Sequence, residues 1–481
     1  MALPLPLESG IEQVARAAEL VARRADPVHL VGIGGIGMAG LAVHLAARGL
    51  RVSGCDRVAG RVTDDLGARG VPVQIGHDPA HVRDAAWCVR STAVREADPE
   101  IRAARERGIP ALLRGAVLPA LLEGRRSVAV SGTHGKTTTA AMIAQVLEAA
   151  GRSPGFCIGG EIPALGGVAA DGAGRLLVVE ADESDGTVAL YRPDIAVITN
   201  IEYDHMEHFE DERTLVDCFD RFASNARRAI VYCADDPRAS SVCAGRSNAR
   251  SYGFAEAASV RGSELGLTAS ETVFVVSLGG RALGRVCLPV AGGHNAQNAL
   301  AACAAGLELG LTFEQVRGGL ERFRPARRRF EVLVDGPVMV LSDYAHHPTE
   351  IRALVKTARL LGRRRLIAVF QPHRYTRTRA LAADFPPAFA GLDEVALVPV
   401  YAASEDPLPG GTSEDLLERF RSDGRPRVRL LASLGEAWKY LRSVLRPGDA
   451  LLVIGAGDVE QIAFWAKADC ESRGSSPGQA P

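Results

Sequence analysis

The sequence is short of lysine, of closely spaced cysteines and of long apolar runs. Of its 56 basic residues only four are lysine, at positions 136, 356, 439 and 467, and the others are arginine. The nine cysteines are scattered without a C-x-x-C pair, which argues against a disulfide framework or a zinc site and predicts reduced core thiols. No apolar run approaches the about 20 residues of a membrane span, and the N-terminus lacks the features of a signal peptide. We therefore expect a cytoplasmic protein.

The chain also lacks an excess of charge of either sign. Its net charge is -1, so nothing in the overall charge favours nucleic acid or a membrane surface as a partner. Hydrophobic residues make up 47% of the 481 positions, which is ample for about three globular domains. Apolar strands alternate with helical patterns, which predicts an α/β protein. We place the domains at residues 1–122, 123–324 and 325–470, followed by a disordered Ser/Gly/Pro-rich tail at 471–481.

A glycine turn between a strand and a helix is the central motif. The apolar run 127–130 leads into the sequence SGTHGKTTT, and a helical pattern covers residues 137–150. Gly132 and Gly135 allow backbone N–H groups to point inward at a helix N-terminus, which is how such loops bind phosphate. Only two residues separate these glycines, so the spacing differs from the common Gly-x-x-x-x-Gly-Lys loop.

Lys136 is the residue of this loop that carries its chemistry. In a chain that uses arginine almost everywhere, this ammonium stands where a compact charge suits a phosphate better than a planar guanidinium does. The following hydroxyl, Thr137, occupies the position that usually ligates Mg²⁺. The sequence therefore predicts a nucleotide triphosphate site.

Acidic and histidine side chains follow two further strands of this domain. The apolar strand 176–179 ends at Glu180, and the strand 195–199 leads to Asp204 and His205. Carboxyl ends of neighbouring parallel strands are where open α/β sheets bind ligands, and Mg²⁺ prefers oxygen ligands. We predict Glu180 and His205 as metal ligands. The acidic turn at 182–185 is open between metal binding and a solvated surface turn.

The first domain carries a second glycine motif. Residues 32–37 fit G-x-G-x-x-G between a strand and a helix, and Asp56 closes the second strand. Such glycines let a diphosphate approach the backbone, and they specify a diphosphate rather than NAD.

Three features of the remaining chain complete the pattern. Residues 250–288 read as an antiparallel appendage. Asn295 and Asn298, three apart, share one face at the start of a helix, which indicates a bound polar ligand. The basic run 324–329 is either a solvated hinge or, through Arg329, a phosphate clamp.

Four stretches together resemble the Mur ligase family: GTHGKTTT at 132–139, EADESD at 180–185, TNIEYDH at 199–205 and HNAQN at 294–298. GIGGIGM at 32–38, DYAHHPTE at 343–350 and FQPHRYTRTR at 370–379 add to the resemblance. It covers nearly the whole chain and implies two Rossmann-like parallel-sheet domains flanking a central P-loop-type ATPase domain. The first domain would bind a UDP substrate, the second ATP, and the third would close over the nucleotide and the amino acid.

The resemblance also implies the reaction. L-Alanine would be joined to the carboxylate of UDP-N-acetylmuramate, through an acyl phosphate formed with ATP and Mg²⁺, in cytoplasmic peptidoglycan precursor synthesis. We expect a monomer or a weak dimer.

Residue roles follow from the matched motifs. The implied ATP site comprises Gly132, Thr133, His134, Gly135, Lys136, Thr137, Thr138, His294, Asn295, Asn298, Arg329 and Asp343. The implied UDP-substrate site comprises Gly34, Gly35, Gly37, Asp56 and Ser91, and the carboxylate-binding set is His347, His373, Arg374 and Arg377. Thr137, Glu180 and His205 would hold the metal, and Lys136, Glu180 and His205 would be catalytic.

The sequence departs from the family at one point. Several sister ligases bridge their metals with a carbamylated lysine in the segment after the Asp-His pair, but no lysine lies between Lys136 and Lys356. A carboxylate would have to replace it, and Glu202, Asp204 and Glu207 are equal candidates.

Three alternative functions need different observations. Another Mur or folylpolyglutamate-type ligase would accept a different amine and acid. An oxidoreductase would bind a nicotinamide at residues 32–37 and transfer hydride. A non-catalytic nucleotide-binding scaffold would not need Lys136, Glu180 and His205 together.

Overall fold

The computed structural model describes residues 7–206, 208–423 and 426–474. The predicted α/β class is confirmed, because the chain forms three sheets built largely of parallel strands. These residues divide into two compact units. Most of the chain up to Ala326 forms the first, and residues 266–272, 290–294 and those from Arg327 onward form the second.

The first sheet is wholly parallel, with the strand order β3-β2-β1-β4-β5. Its elements are α1 Leu7–Ala22, β1 Val28–Val31, α2 Ile36–Ala47, β2 Val52–Asp56, α3 Arg61–Ala68, β3 Val73–Ile75, the 3-10 turn Pro79–Val82, β4 Trp87–Arg90, α4 Pro99–Glu106, β5 Ala111–Leu113 and α5 Arg114–Ala120. The strand order reverses at β1, with β2 on one side and β4 on the other, so the carboxyl ends of β1, β2 and β4 form a crevice of the kind that binds ligands.

The second sheet has ten strands in the order β15-β14-β13-β12-β11-β10-β6-β9-β7-β8. Its elements are β6 Arg126–Ser131, α6 Lys136–Ala149, β7 Gly155–Ile162, the 3-10 turn Pro163–Leu165, β8 Gly167–Ala170, β9 Leu176–Glu180, the 3-10 turn Thr187–Leu190, β10 Ile195–Ile198, α7 Glu212–Ser224, β11 Ala229–Cys233, α8 Pro237–Cys243, β12 Ala249–Gly253, β13 Val260–Leu267, β14 Thr272–Leu278, β15 Arg281–Leu288, α9 Gly293–Glu308 and α10 Phe313–Leu320. The central residues of the inner strands β6, β9 and β10 are apolar and buried, as expected for parallel strands covered by helices on both faces.

The prediction that residues 250–288 form an antiparallel appendage is wrong for its first strand pairings. The strands β12 to β15 continue the second sheet from β11 outward. The first pairings, β11 with β12 and β12 with β13, are parallel. An alternating apolar and polar pattern indicates that one face of a strand is exposed. It does not indicate which neighbouring strand pairs with that strand, or in which direction.

The third sheet has the order β16-β17-β21-β18-β19-β20, with only the edge pair β16 and β17 antiparallel among its pairings. Its elements are β16 Glu331–Val334, β17 Met339–Asp343, α11 Pro348–Arg359, β18 Arg365–Phe370, α12 Tyr375–Ala380, α13 Phe385–Ala388, β19 Glu394–Leu397, α14 Ser413–Asp423, β20 Arg427–Leu430, α15 Leu434–Val444, β21 Asp449–Ile454 and α16 Glu460–Gly474. Residues 471–474 of the predicted disordered tail continue α16, and 475–481 lie outside the described residues.

Two predictions from composition can be compared with this fold. All nine cysteines are free thiols and seven are buried, as expected for reduced core residues. Within the described ranges, we find no helix with the length and apolar character needed to cross a lipid bilayer.

Helix α2 is held against the second sheet by a buried polar contact. His44 of α2 is fully buried, and its two ring nitrogens lie 3.2 Å from Asp171 Oδ1 and 2.9 Å from the Phe156 carbonyl oxygen. Arg125 donates to the other Asp171 oxygen at 2.8 Å. Hydrogen bonding from His44, aided by Arg125, lowers the pKa of Asp171 from 3.8 to about 2 despite partial burial.

This contact predicts a pH-dependent loss of stability in Asp171→Asn. Because the folded pKa lies below the unfolded one, the carboxylate stabilises the fold above pH 3.8 and loses its contribution as pH falls toward 2. We expect Asp171→Asn to lose about 2 kcal/mol in urea unfolding at pH 7 and progressively less below pH 4. Asp220→Asn, which removes an exposed ion pair with Arg246, is the control and should cost under about 1 kcal/mol. A deficit of equal size at pH 7 and pH 3 would contradict the assignment.

Candidate active site

The phosphate loop follows β6, where the strand order of the second sheet reverses. Strand β6 is flanked by β9 and β10, and both pairings are parallel. Their carboxyl ends therefore share one edge, with the loop after β6, Glu180 at the end of β9, and Thr199 and Asn200 after β10. The predicted strand, turn and helix are all present.

The loop conformation requires glycine at two positions. Gly132 has φ 134° and Gly135, which precedes α6, has φ 81°. A Cβ on Gly132 would lie 2.0 Å from Thr199 Oγ1, and one on Gly135 would lie 2.6 Å from Asn298 Oδ1. The backbone thus approaches two polar side chains more closely than any larger residue permits.

Asn200 holds the loop in place, a role that sequence reasoning missed. Its carbonyl oxygen accepts the Thr133 N–H at 3.1 Å, and its side-chain oxygen accepts the His134 N–H at 2.8 Å. These two N–H groups are therefore occupied, whereas the N–H groups of the first turn of α6 have no partner within the helix and can bind an anion. The available signal was the position of Asn200 directly after a buried strand.

Lys136 is held at the loop by two carbonyls and a carboxylate. Its Nζ donates to the Gly132 carbonyl at 2.7 Å, the Thr133 carbonyl at 3.2 Å and Glu183 Oε1 at 2.8 Å. Burial by itself would lower the pKa of Lys136, but Glu183 and the neighbouring carboxylates raise it above its usual value. The ammonium is thus charged and directed toward the loop.

Of the two alternatives for residues 182–185, the solvated surface turn is wrong for Glu183. Its side chain is 1% exposed and lies within 2.8 Å of Lys136 Nζ. Asp182 is more exposed and lies 3.9 Å from Arg114, while Asp185 accepts from Thr187. The sequence of an acidic run does not distinguish a solvated turn from one that pairs with a buried cation. The pairing with Lys136 exists only after the chain has folded.

Glu180 and Thr137 form the oxygen-rich part of the site. Thr137 Oγ1 lies 3.0 Å from Glu180 Oε2, which also accepts the Gly159 N–H at 2.7 Å. Loss of hydration, only partly offset by Lys136, raises the pKa of Glu180. A carboxylate and a hydroxyl side by side at a strand end fit the hard oxygen ligands of Mg²⁺.

His205 is connected to this group through Glu183. Its Nε2 lies 3.3 Å from Glu183 Oε1 and 3.8 Å from Asp204 Oδ2, and its backbone has φ 58°. The contacts thus associate His205 with the Lys136 and Glu183 pair, and its role as a metal ligand stays a prediction. Of the three carboxylates considered as a substitute for carbamylated lysine, Asp204 is 3% exposed, Glu202 lies 2.9 Å from His134, and Glu207 is outside the described residues.

The two asparagines of α9 share one face, as predicted. Asn298 Nδ2 donates to Asn295 Oδ1 at 3.4 Å, and Asn298 Oδ1 accepts from Thr139 of α6 at 3.2 Å. Asn298 therefore reaches the helix that follows the phosphate loop. Its assignment to adenine or ribose stays a prediction.

The glycine loop of the first sheet lies beside Asp56 and Ser91, the residues predicted to share its site. Asp56 Oδ2 accepts the Gly34 N–H at 2.9 Å, and a Cβ on Gly32 would lie 3.5 Å from that of Ser91. Gly35 is the N-cap of α2. The carboxyl ends of β1, β2 and β4 thus meet, although Asp56 occupies one of the loop's own donors.

Arg114 is the second residue that sequence reasoning missed. It begins α5 directly after β5, and a Cβ on Gly37 would meet its guanidinium at 2.9 Å. A cation beside the N-terminal turn of α2 would favour an anionic ligand there. Its position after a strand end was the only signal.

The third sheet gathers most of its predicted residues after β18. Arg377, 3% exposed, lies 3.3 Å from His373 Nδ1, and His373 stacks on Tyr401 at 5.5 Å. Arg374 has φ 70° and lies 3.7 Å from Glu405. A buried guanidinium can bind a carboxylate through two parallel N–H groups.

His347 stands apart because it caps a helix. Its ring Nδ1 accepts the Thr349 N–H at 3.3 Å, and Glu350 accepts the N–H of His347 at 3.3 Å, which completes a capping box for α11. The capping role explains why a histidine stands at position 347 without requiring any contact with a substrate.

Asp343 and Arg329 lie together around Tyr344. Asp343 accepts the N–H groups of Phe330 and Ala345, both at 2.8 Å, and the Arg329 guanidinium lies 5.3 Å from the Tyr344 ring centroid. His294, at the start of α9, belongs to the same compact unit as these residues. Their contact with a nucleotide stays a prediction.

Three family models match the chain in succession. They are described as Mur ligase family, catalytic domain, over residues 27–126, Mur ligase middle domain over 130–306, and Mur ligase, glutamate ligase domain, over 328–457.

Curated relatives are similar over almost their whole length. The UDP-N-acetylmuramate–L-alanine ligase of Acidothermus cellulolyticus is 41% identical over 94% of this chain and 94% of its own. The ligase of the same name from Gloeobacter violaceus is 42% identical over 90% of this chain and 94% of its own.

Solved structures show the same architecture. The crystal structure of UDP-N-acetylmuramate-alanine ligase from Thermotoga maritima has a TM-score of 0.81 and 29% identity, covering 93% of this chain and 99% of its own. A murein peptide ligase from Psychrobacter arcticus, at 22% identity and TM-score 0.69, covers 94% and 99% and shares the fold.

Proposed function

We propose that this chain, which belongs to the Mur ligase family, is an ATP-dependent ligase that joins L-alanine to UDP-N-acetylmuramate in peptidoglycan precursor synthesis. The substrates are those named for relatives about 40% identical over nearly the full chain. The reaction consumes ATP, and we expect it in the cytoplasm.

One observation carries the proposal: a charged lysine and the oxygen-rich pair of Glu180 and Thr137 lie at the carboxyl ends of neighbouring central strands. Lys136 is presented by the glycine loop after β6, and Glu180 with Thr137 supplies oxygen ligands beside it. A carboxylate substrate must approach the γ-phosphate of ATP to form an acyl phosphate, and two anions repel each other. The site supports this step because a fixed ammonium offsets that repulsion.

The chain's own residues have separable tasks in this proposal. Lys136 and the N–H groups of the first turn of α6 bind phosphate oxygens, while Asn200 fixes the loop that presents them. Glu180 and Thr137 would hold Mg²⁺, which when bound neutralises phosphate charge. Arg374 and Arg377 are the proposed partners of a substrate carboxylate, and the glycine loop with Arg114 is the proposed site of the UDP diphosphate.

The decisive experiment measures ADP release with ATP and Mg²⁺. UDP-N-acetylmuramate is supplied with and without L-alanine, and glycine, L-serine and D-glutamate are tested in parallel. We expect ADP release only when UDP-N-acetylmuramate and L-alanine are both present, together with a product that contains both.

Other outcomes would overturn parts of the proposal. Release with D-glutamate, or only with a peptide amine, would assign the chain to another Mur ligase reaction. ATP turnover that is indifferent to every amine would remove the ligase assignment. Hydride transfer to NAD bound at residues 32–37 would favour an oxidoreductase.

A further inference from the structure

A second cluster of reactive side chains lies on the first sheet, away from the phosphate loop. It combines His29 of β1, Cys55 of β2, His81 of the 3-10 turn Pro79–Val82 and Glu100 in the first turn of α4. One ligand atom of each residue lies within 4.8 Å of the others. These residues come from four separate elements, which is why no sequence spacing indicates them.

Glu100 is the centre of this cluster. Its carboxylate is fully buried, with Cys55 Sγ 2.8 Å from Oε2 and His81 Nδ1 2.5 Å from Oε1. A second histidine, His77, lies 3.1 Å from Oε2 and 3.5 Å from Asp98. Hydrogen bonds alone account for this side of the cluster, so Glu100 by itself does not require an ion.

His29 gives separate evidence that an ion binds in this cluster. It is 1% exposed, and its Nδ1 lies 2.9 Å from Ser53 Oγ, which fixes the ring. Its other nitrogen, Nε2, is buried without a hydrogen-bond partner and lies 4.0 Å from Glu100 Oε1. A buried polar atom left unpaired costs about 1 to 3 kcal/mol, and this one is directed at the cluster. The arrangement is that of a metal-binding histidine whose second nitrogen is held by a neighbouring group.

The donor set identifies the class of ion. Two imidazoles, a thiol and a carboxylate are the ligands of Zn²⁺, whereas Mg²⁺ and Ca²⁺ take oxygen ligands. In a tetrahedral zinc site the bond lengths place ligand atoms about 3.3 to 3.8 Å apart, so atoms within 4.8 Å need only small rotations. His81 is 18% exposed, which leaves a route for the ion from solvent.

We propose that His29, Cys55, His81 and Glu100 bind a structural Zn²⁺ ion. The ion joins β1, β2, the 3-10 turn and α4, and it holds the strand end where Asp56, next to Cys55, accepts the Gly34 N–H. His77, Asp98 and Ser53 orient the ligands from outside. The absence of a C-x-x-C pair excludes a zinc site built on paired cysteines, whereas this site uses one thiol. The site is separate from the ligase chemistry and does not depend on it.

The test is cobalt binding to the metal-free full chain. The background carries Cys287→Ser and Cys470→Ser, because these two thiols are exposed and could bind metal on their own. Titrated Co²⁺ should produce a thiolate-to-cobalt absorption band that saturates at one ion per chain and is displaced by Zn²⁺. Oxygen ligands at the phosphate loop cannot produce this band, so the two sites are distinguished.

Two variants and one control complete the design. Cys55→Ser should abolish the band, and His81→Gln should weaken Co²⁺ binding by at least about tenfold. Cys303→Ser removes an equally buried thiol outside the cluster and should leave the band unchanged. Zn²⁺ should raise the unfolding temperature of the background protein and of Cys303→Ser, but not that of Cys55→Ser.

The outcomes are decisive whether or not Cys55→Ser folds. Absence of the band in the background protein overturns the proposal without any variant. A band that persists in folded Cys55→Ser, or undiminished affinity in His81→Gln, also overturns it and leaves a hydrogen-bonded cluster only. ADP release is measured separately, and its failure would not affect these spectra.

Discussion

Replacing Lys136 by alanine lowers kcat/KM for ADP release by at least about 10³-fold, the scale of losing a preorganised charge at a reacting phosphate. The ammonium is fixed at the loop by the carbonyls of Gly132 and Thr133, so its removal takes a positioned charge away from the site. Lys356→Ala, at an exposed position of α11, is the matched control and should retain activity. A Lys136→Ala enzyme that keeps a tenth of its activity would remove the phosphate loop from the mechanism.

The same substitution should also affect stability, because Lys136 neutralises a buried carboxylate. Without it, Glu183 at 1% exposure loses its cation, and breaking such a pair costs about 3 to 5 kcal/mol. Adding Glu183→Gln should restore most of the unfolding free energy in urea while activity stays absent. If the double variant regained turnover, the loss in Lys136→Ala would be one of folding and not of chemistry.

Gly132→Ala should be the most damaging methyl addition in the phosphate loop. The new Cβ would lie 2.0 Å from Thr199 Oγ1, which is buried and donates to the His134 carbonyl at 2.6 Å. The φ of 134° adds strain for any L side chain. We expect a loss above about 3 kcal/mol in unfolding free energy and a fall in kcat/KM of at least about 10²-fold, as the loop shifts from its place.

The matched control is Gly151, which follows the C-terminal end of α6, the helix that begins at the phosphate loop. Gly151 also has a positive φ, of 70°, but an added Cβ would meet nothing within 4 Å. Gly151→Ala should therefore cost about 1 to 2 kcal/mol and leave kcat/KM nearly unchanged. Equal losses in the two variants would show that backbone strain, and not the contact with Thr199, decides the effect.

Residues next to recognisable strand ends could be located from the sequence. Parallel strands align their carboxyl ends, so the loop after β6, Glu180 and the segment around Asn200 had to meet once the strands were identified. The helical period likewise predicted that Asn295 and Asn298 share a face.

Residues whose role depends on a partner far away in the sequence could not be identified in this way. Glu183 is defined by Lys136, 47 positions earlier, and Arg114 by its approach to Gly37. In each case the partner is chosen by packing between elements, and sequence patterns report only on the element itself.

By itself, the sequence determined the α/β class, the positions of the glycine loops and the family, because each depends on local periodicity or on a contiguous motif. The tertiary structure alone decided that residues 250–288 extend the second sheet, that Lys136 pairs with Glu183, and that His29, Cys55, His81 and Glu100 form one cluster. The physical reason is common to all three. Strand-edge pairing, ion pairing and ligand clustering are contacts between segments far apart in the chain, and they exist only after the elements have packed.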